Sequence, residues 1–112
     1  MVMHLPNGDR AIVDIRKLTD YCLNPSHPRG RHKARVFRQV AGLQQSDAAW
    51  LRDALLEAAP AGEAVAVATD AWGTHWRLDV TIGRHRRSAA VRTIWIVRTG
   101  EDLPRLVTCW VL

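Results

Sequence analysis

The chain has few of the residues that build disulfide-linked or metal-bound scaffolds. It holds only two cysteines in 112 residues, Cys22 and Cys109, and they are far apart in the sequence. This count excludes a disulfide framework and a Cys-x-x-Cys metal site, so we expect two buried, reduced thiols in a cytoplasmic protein. No apolar run approaches the roughly 20 residues needed to cross a bilayer, so no membrane partner is expected.

Length and composition are those of an ordinary globular domain. With 47% apolar and 24% charged residues, the chain can form one core and carry one site, and we expect a single domain over residues 1–112. Paired metal-binding histidines, clustered carboxylates and a glycine-rich phosphate loop are all missing from the sequence. We therefore expect neither a metal nor a cofactor.

Acidic residues are missing from a stretch that is rich in cations. No Asp or Glu lies between Asp20 and Asp47, whereas the other eleven cations of the chain match its eleven acids in number. The formal net charge of +5 is therefore local, and a local positive field attracts a phosphate backbone. The cations of this stretch are Arg29, Arg31, Lys33, Arg35 and Arg38, and the four arginines are candidate RNA-binding residues.

Hydrophobic spacing predicts about three helices in the first half of the chain. The first helix is expected between Asp14 and Pro25, the second ends at Gly42, and the third lies between Ser46 and Pro60. In the second helix, apolar residues mark one face and arginines at spacings of four and three mark the opposite face. The cationic stretch therefore lies on an amphipathic helix.

The second half of the chain is predicted to form strands, because from Glu63 onward the hydrophobic period changes from about 3.6 to 2 residues. Four strands are predicted near 63–71, 74–82, 88–98 and 105–112, with connections short enough for an antiparallel meander. The last two strands are apolar on both faces, which indicates central strands or a second contact surface. The predicted fold is α+β, with the N-terminal helices packed on a C-terminal four-stranded antiparallel meander sheet.

The acid-free stretch also holds the residue types needed to cleave a phosphodiester without a metal. Histidine suits proton transfer near neutral pH, and Lys or Arg stabilises the crowded transition state. His32 is the leading acid/base candidate, Lys33 and Arg35 are electrostatic contacts, and His27 is assigned to loop stabilisation. Gly30 either leaves room for a phosphate or is an ordinary turn glycine. A solvated cationic helix face is the simpler alternative for the whole segment.

Polar residues on the predicted strands are candidates to complete a cleft against the second helix. His75, Arg77 and Asp79 project to one side of their strand, and Arg92 and Thr108 lie on later strands. These residues either complete a cleft or form an exposed ladder of cross-strand pairs, and we favour the ladder for His75 and Arg77.

The basic run at residues 84–87 and the tryptophans have simpler interpretations. The run occupies a predicted hairpin tip, and we favour a solvated turn over an auxiliary contact with a nucleic-acid backbone. Four of the five tryptophans lie in the sheet half, where a packing role is favoured over stacking on a base.

Several strings resemble a family of small bacterial domains of unknown function. They are Lys17-Leu18-Thr19-Asp20-Tyr21, His32-Lys33-Ala34-Arg35-Val36-Phe37, Thr93-Ile94-Trp95-Ile96 and Leu106-Val107-Thr108-Cys109. Such domains look like standalone proteins or the C-terminal tips of polymorphic toxin and phage-head polypeptides. The element order is similar to the ribonuclease fold of barnase, the tRNA-cleaving colicins and RelE-type toxins. The resemblance implies a metal-independent endoribonuclease toxin that acts on tRNA or another structured RNA.

The resemblance also implies residue roles and a partner. In colicin-like toxins a helix-borne His or Lys faces groups on the sheet, and the matching positions here are His32, Lys33, Arg92 and Thr108. A protein inhibitor, either an antitoxin or an immunity protein, is implied because a toxin made alone would damage its host. The chain departs from barnase in lacking a clear Glu/His pair. The rival hypotheses are a non-catalytic binding module, as an RNA-binding accessory or an immunity-type protein, and a self-associating domain.

Overall fold

Helices precede a four-stranded sheet in the computed structural model, which describes residues 2–112. The first helix contains the π-type turn Leu18–Cys22, the second is α-helical over Arg31–Val36 and continues in π-type turns over Phe37–Ala41, and the third is Ala48–Ala58. Single 3₁₀ turns occupy Gly8–Arg10 and Gln45–Asp47. Together with the sheet, these helices confirm the α+β class predicted from the sequence.

The helix ends follow local sequence signals. The Asp14 carboxylate accepts the backbone N–H of Arg16 at 3.0 Å, as an N-capping side chain does. The second helix stops at Gly42, whose φ of 68° is the left-handed conformation common at helix ends. Before the third helix, a capping box joins Gln44 and Asp47, in which the Gln44 N–H donates to the Asp47 carboxylate at 2.8 Å.

The strands form an antiparallel meander in the order β1-β2-β3-β4, as predicted. They are β1 (Ala64–Asp70), β2 (Gly73–Arg84), β3 (Arg87–Arg98) and β4 (Pro104–Val111). Strand β3 is central, whereas β4 is an edge strand whose start is paired by the N-terminal segment. The Ile12 N–H donates to the Pro104 carbonyl at 2.8 Å, and the Leu106 N–H donates to the Ile12 carbonyl at 2.9 Å. This pairing covers part of an otherwise open edge.

The strand register decides which side chains face the helices. Trp76, Trp95 and Leu106 form one row across the buried face. In β4 the register shifts so that Val107 has no cross-strand partner. Leu106 and Cys109 are both buried although they are three residues apart, so strict alternation is broken at this point.

The core lies between this inner face and the helices. Its largest fully buried side chains include Trp95, Phe37 and Leu51. Thr93 is the buried polar side chain of the core, and its hydroxyl donates to the Leu78 carbonyl and accepts the Trp95 indole N–H. Among residues 2–112, every buried side-chain N or O atom has a hydrogen-bond partner. Over the same residues, no helix combines the length and the apolar composition that crossing a membrane requires.

Candidate functional site

The loop before the second helix is held in place by its own histidine. The His27 Nδ1 accepts the backbone N–H groups of Arg29 at 3.0 Å and Gly30 at 2.9 Å. Its ring meets the Tyr21 ring edge-on, with the centroids 4.8 Å apart. A Cβ at Gly30 would collide with the Tyr21 carbonyl oxygen. His27 therefore has the loop-stabilising role assigned to it, and Gly30 serves close packing of two helices because Tyr21 fills the space beside it.

Lys33 lies between the first helix and β4. Its Nζ donates to the Tyr21 hydroxyl and to the Thr108 hydroxyl, each at 2.9 Å. The ammonium also lies 4.6 Å from the Tyr21 ring centroid and 5.2 Å from that of Trp110, within the range of cation–π attraction. We call these four residues the Lys33 cluster. Because an ammonium has three N–H donors and the hydroxyls take two, one donor is left for water or an anion.

The charge of Lys33 has no acidic counterpart. Lys33 is half-buried and belongs to none of the ion pairs that residues 2–112 form. Hydroxyl dipoles and ring faces hold the ammonium in place without cancelling its charge. An anion that reaches this position would therefore meet a pre-positioned cation that no carboxylate of residues 2–112 pairs.

Two thiols lie beneath the cluster. The Cys22 Sγ is 3.7 Å from the Thr108 hydroxyl oxygen, and Cys22 and Cys109 are both free and fully buried, as expected for reduced thiols. A hydrogen bond from the Cys109 thiol, supported by Thr108 and the charge of Lys33, lowers the pKa of Cys22 to about 6. The same hydrogen bond, together with burial, raises the pKa of Cys109. The positive charge of Lys33 favours the charged form of both thiols.

His32 lines two concavities along the second helix. One is a cavity of about 370 Å³ lined by His32, Lys33 and Trp110, among others, at the end of β4. The other is a larger groove of about 810 Å³, which His32 also lines. The His32 side chain is exposed. The structure thus brings three of the catalytic candidates to one region, because Lys33 shares a cavity with His32 and a hydrogen bond with Thr108.

The larger groove is lined by arginines of the second helix, and we call it the arginine groove. Arg31, Arg35 and Arg38 lie along it, and its lining also includes Gln44 and Ser46. None of these arginines takes part in the ion pairs formed within residues 2–112. The remaining RNA-binding candidate, Arg29, is exposed in the preceding loop and does not line the groove.

Arg92 is not part of either concavity. Its guanidinium makes two hydrogen bonds to the carboxylate of Asp79, each at 2.9 Å, on the sheet face that the helices do not cover. These bonds lower the pKa of Asp79 and raise that of Arg92. His75 lies similarly near Asp70, with 4.0 Å between the closest nitrogen and oxygen. The exposed ladder of cross-strand pairs is therefore observed for Asp79 and Arg92.

Sequence reasoning did not find Tyr21, Trp110 or the two thiols as neighbours of Lys33. Tyr21 and Thr108 lie 12 and 75 residues from Lys33 along the chain, and Cys22 lies 86 residues from Thr108. No local spacing signals contacts of this range. Within residues 2–112, no three His, Cys, Asp or Glu side chains are arranged as a group that could hold a metal ion.

The comparisons place this α+β chain in a domain family. The family model described as "Domain of unknown function (DUF6883)" matches residues 4–112, and the chain belongs to that family. Membership in a family of domains of unknown function is thus confirmed, whereas the toxin association and the ribonuclease-like fold remain predictions. A search of the curated proteins and a search of the solved structures each gave no match.

Proposed function

We propose that the protein is a metal-independent endoribonuclease of the toxin class that cleaves tRNA or another structured RNA. The observation that supports this most strongly is Lys33, which lies outside every ion pair of residues 2–112 and is held by two hydroxyls beside a cavity shared with His32. Cleavage concentrates negative charge on the phosphate oxygens in the transition state, and a fixed cation in this position stabilises that charge.

In this proposal each residue has a distinct role. His32 takes the proton from the attacking 2′-hydroxyl as the 2′-oxygen bonds to phosphorus. Solvent water protonates the 5′-oxygen as its bond to phosphorus breaks, which leaves a 2′,3′-cyclic phosphate and a free 5′-hydroxyl. Lys33 stabilises the phosphate charge, while Tyr21 and Thr108 position Lys33. Arg92 receives no role in the reaction because Asp79 holds its guanidinium.

The arginine groove supplies the binding surface of the proposed enzyme. Arg31, Arg35 and Arg38 contact successive phosphates of the RNA backbone, and Arg29 contacts it at the loop end of the helix. A cytoplasmic toxin needs an inhibitor in its own cell. We assign that role to an antitoxin or immunity protein whose acidic surface covers the same arginines.

Cleavage of purified tRNA in EDTA tests the proposal. We expect the wild type to cleave, and we expect His32→Ala to reduce the rate by about 100-fold or more, which is the typical contribution of a general acid or base. His4→Ala is the matched control, because His4 is an exposed histidine in the N-terminal segment. Thermal unfolding of both variants checks that they are folded. Equal rates for the wild type and His32→Ala would contradict the assigned role.

A non-catalytic binding module is the second candidate, and one observation favours it. Lys33 does not line the arginine groove, which shares only His32 with the cavity beside Lys33, so the groove can bind RNA without presenting it to Lys33. Salt-dependent binding of RNA that stays intact would identify an RNA-binding accessory. A stable complex with an acidic protein, without RNA binding, would identify an immunity-type protein.

A further inference from the structure

The tip of the β2–β3 hairpin carries a second group of cations. Arg84, His85, Arg86 and Arg87 are consecutive, and within residues 2–112 only Arg84 among them forms an ion pair. Its partner is Asp47, at 2.7 Å. The Arg86 and Arg87 guanidinium groups therefore keep their charge uncompensated.

Arg84 attaches this tip to the helical layer. Its guanidinium bonds the Asp47 carboxylate just before the third helix and lies 5.1 Å from the Trp50 ring centroid. The Gln44 backbone N–H and Arg84 together lower the pKa of Asp47, so the carboxylate stays charged at neutral pH. The tip is thus held against the protein rather than projecting into solvent as an isolated turn.

Arg38 connects the tip with the arginine groove. A concavity of about 530 Å³ between the second helix and the tip is lined by Arg38, Gln44, His85 and Arg87, among others. Arg38 and Gln44 also line the arginine groove, so the two concavities are neighbours that share a wall. The Arg87 guanidinium packs over Gly42, where an added Cβ would lie 3.0 Å from its Nη1. Cations thus continue from the helix onto the sheet.

The turn itself places charged residues in an unusual backbone conformation. His85 and Arg86 have φ values of 50° and 65°, which glycine or asparagine adopts with less strain. None of the large apolar side chains exposed in residues 2–112 lies at this tip. A protein interface is centred on apolar or aromatic anchors, so a row of cations without them fits a uniformly charged backbone better.

We propose that the hairpin tip and the arginine groove form one continuous RNA-binding surface, along which a single strand runs from Arg31 past Arg38 to His85 and Arg87. The identity of the polyanion as RNA rests on the proposed function. At 1.5 Å per residue, Arg31 to Arg38 covers about 10 Å of helix, so the groove alone meets few phosphates. The tip extends the surface with cations from a second part of the chain.

The salt dependence of RNA binding tests this surface. The probe is a 2′-O-methylated copy of a tRNA anticodon stem-loop, which cannot be cleaved because it lacks the attacking hydroxyl. Fluorescence anisotropy gives its affinity at a series of salt concentrations. Each lost phosphate contact is expected to lower the log–log salt slope by about 0.7 to 0.9. We expect that loss for Arg87→Ala, with affinity reduced several-fold, and recovery of the slope in Arg87→Lys.

Arg98→Ala is the matched control, since Arg98 is an exposed arginine outside every ion pair of residues 2–112 and lies at the opposite end of β3. It should leave the slope unchanged. An unchanged slope in Arg87→Ala, or equal losses in Arg87→Ala and Arg98→Ala, would overturn the continuous surface whether or not the enzyme cleaves RNA. A slope that is reduced in Arg87→Ala but not in Arg98→Ala supports the continuous surface. If natural tRNA then stays intact, that second result refutes only the ribonuclease activity.

Discussion

The two sides of the protein use their cations in different ways. On the open face of the sheet, Arg92 is bound by Asp79 at 2.9 Å, and Arg105 is bound by Glu101 at 3.2 Å. Along the second helix, Lys33 and the groove arginines belong to none of the ion pairs formed within residues 2–112. Positive charge is cancelled where a neighbouring strand or turn supplies a carboxylate, and it persists where the chain lacks acids. The net charge of the protein is therefore concentrated where a polyanion can use it.

The largest expected effect is a loss of cleavage rate when Lys33, but not Arg92, is replaced. We predict that Lys33→Met lowers the rate of RNA cleavage by about 100-fold or more, because it removes a fixed charge from the transition state. Arg92→Met removes an equal charge that Asp79 already neutralises, so its rate should stay within about twofold of the wild type, as for a surface ion pair of small energy. Both rates are measured on tRNA in EDTA. Similar losses in the two variants would remove the distinction between the two sides.

A second prediction concerns the packing that places Tyr21 beside Lys33. Gly30→Ala should destabilise the fold by about 1–3 kcal/mol, the usual cost of overpacking, because the new methyl group would collide with the Tyr21 backbone. Gly83→Ala is the control, since the nearest atom to its added Cβ is 3.7 Å away. Its effect should stay within about 0.5 kcal/mol. Urea denaturation measures both. Equal stability of the two variants would show that the close contact between Gly30 and the Tyr21 backbone does not constrain the position of Tyr21 beside Lys33.

The hydroxyls that hold Lys33 should have a smaller effect on catalysis. Tyr21→Phe and Thr108→Val each remove one hydrogen bond to the ammonium and keep the shape of the side chain. We predict a loss of about tenfold in kcat for each, equivalent to about 1.4 kcal/mol, with little change in KM. A purely structural role would instead lower the thermal stability and leave kcat of the folded fraction unchanged. Thr99→Val, in the loop after β3, is a matched control.

The smallest effect is expected for the Asp79–Arg92 ion pair on the open face of the sheet. Asp79→Asn should destabilise the protein by about 0.2–1 kcal/mol, as is typical of exposed ion pairs. Since the Arg92 hydrogen bonds lower the pKa of Asp79, its contribution is complete above the ordinary carboxyl pKa of about 3.9 and disappears as the pH falls through the lower folded-state value. The stability difference between the wild type and Asp79→Asn should therefore shrink below about pH 4. A difference independent of pH would contradict the ion pair.

The fold could be predicted from the sequence because local patterns determine most of it. Alternation in β2, the amphipathic second helix and the stop at Gly42 each act within a few residues. The predicted meander places β4 at an edge, whereas its two apolar faces indicated a central strand or a second contact surface. The backbone of Ile12, which is distant in the sequence, forms hydrogen bonds with the start of β4 and so satisfies part of this edge.

The candidate site was predicted less completely. His32 and Lys33 were found because the cations and histidines cluster in sequence, whereas their long-range neighbours carry no local signal. The pairing of Arg92 with Asp79, by contrast, does have a local signal in the sequence. Counting outward from a two-residue turn at His85 and Arg86 places these residues opposite each other. The turn was not recognised at that length because it lacks the Asn-Gly pair typical of such hairpins.

The unpaired Val107 has a consequence for how the protein can change. A strand that lost this one residue would keep Leu106 opposite Trp95 and Thr108 opposite Ile94, so both residues would stay on their present faces and β4 would alternate regularly. The Thr108 hydroxyl would keep its place at the Lys33 cluster. Val107 is therefore the position in β4 at which a single-codon deletion is absorbed without turning the strand over.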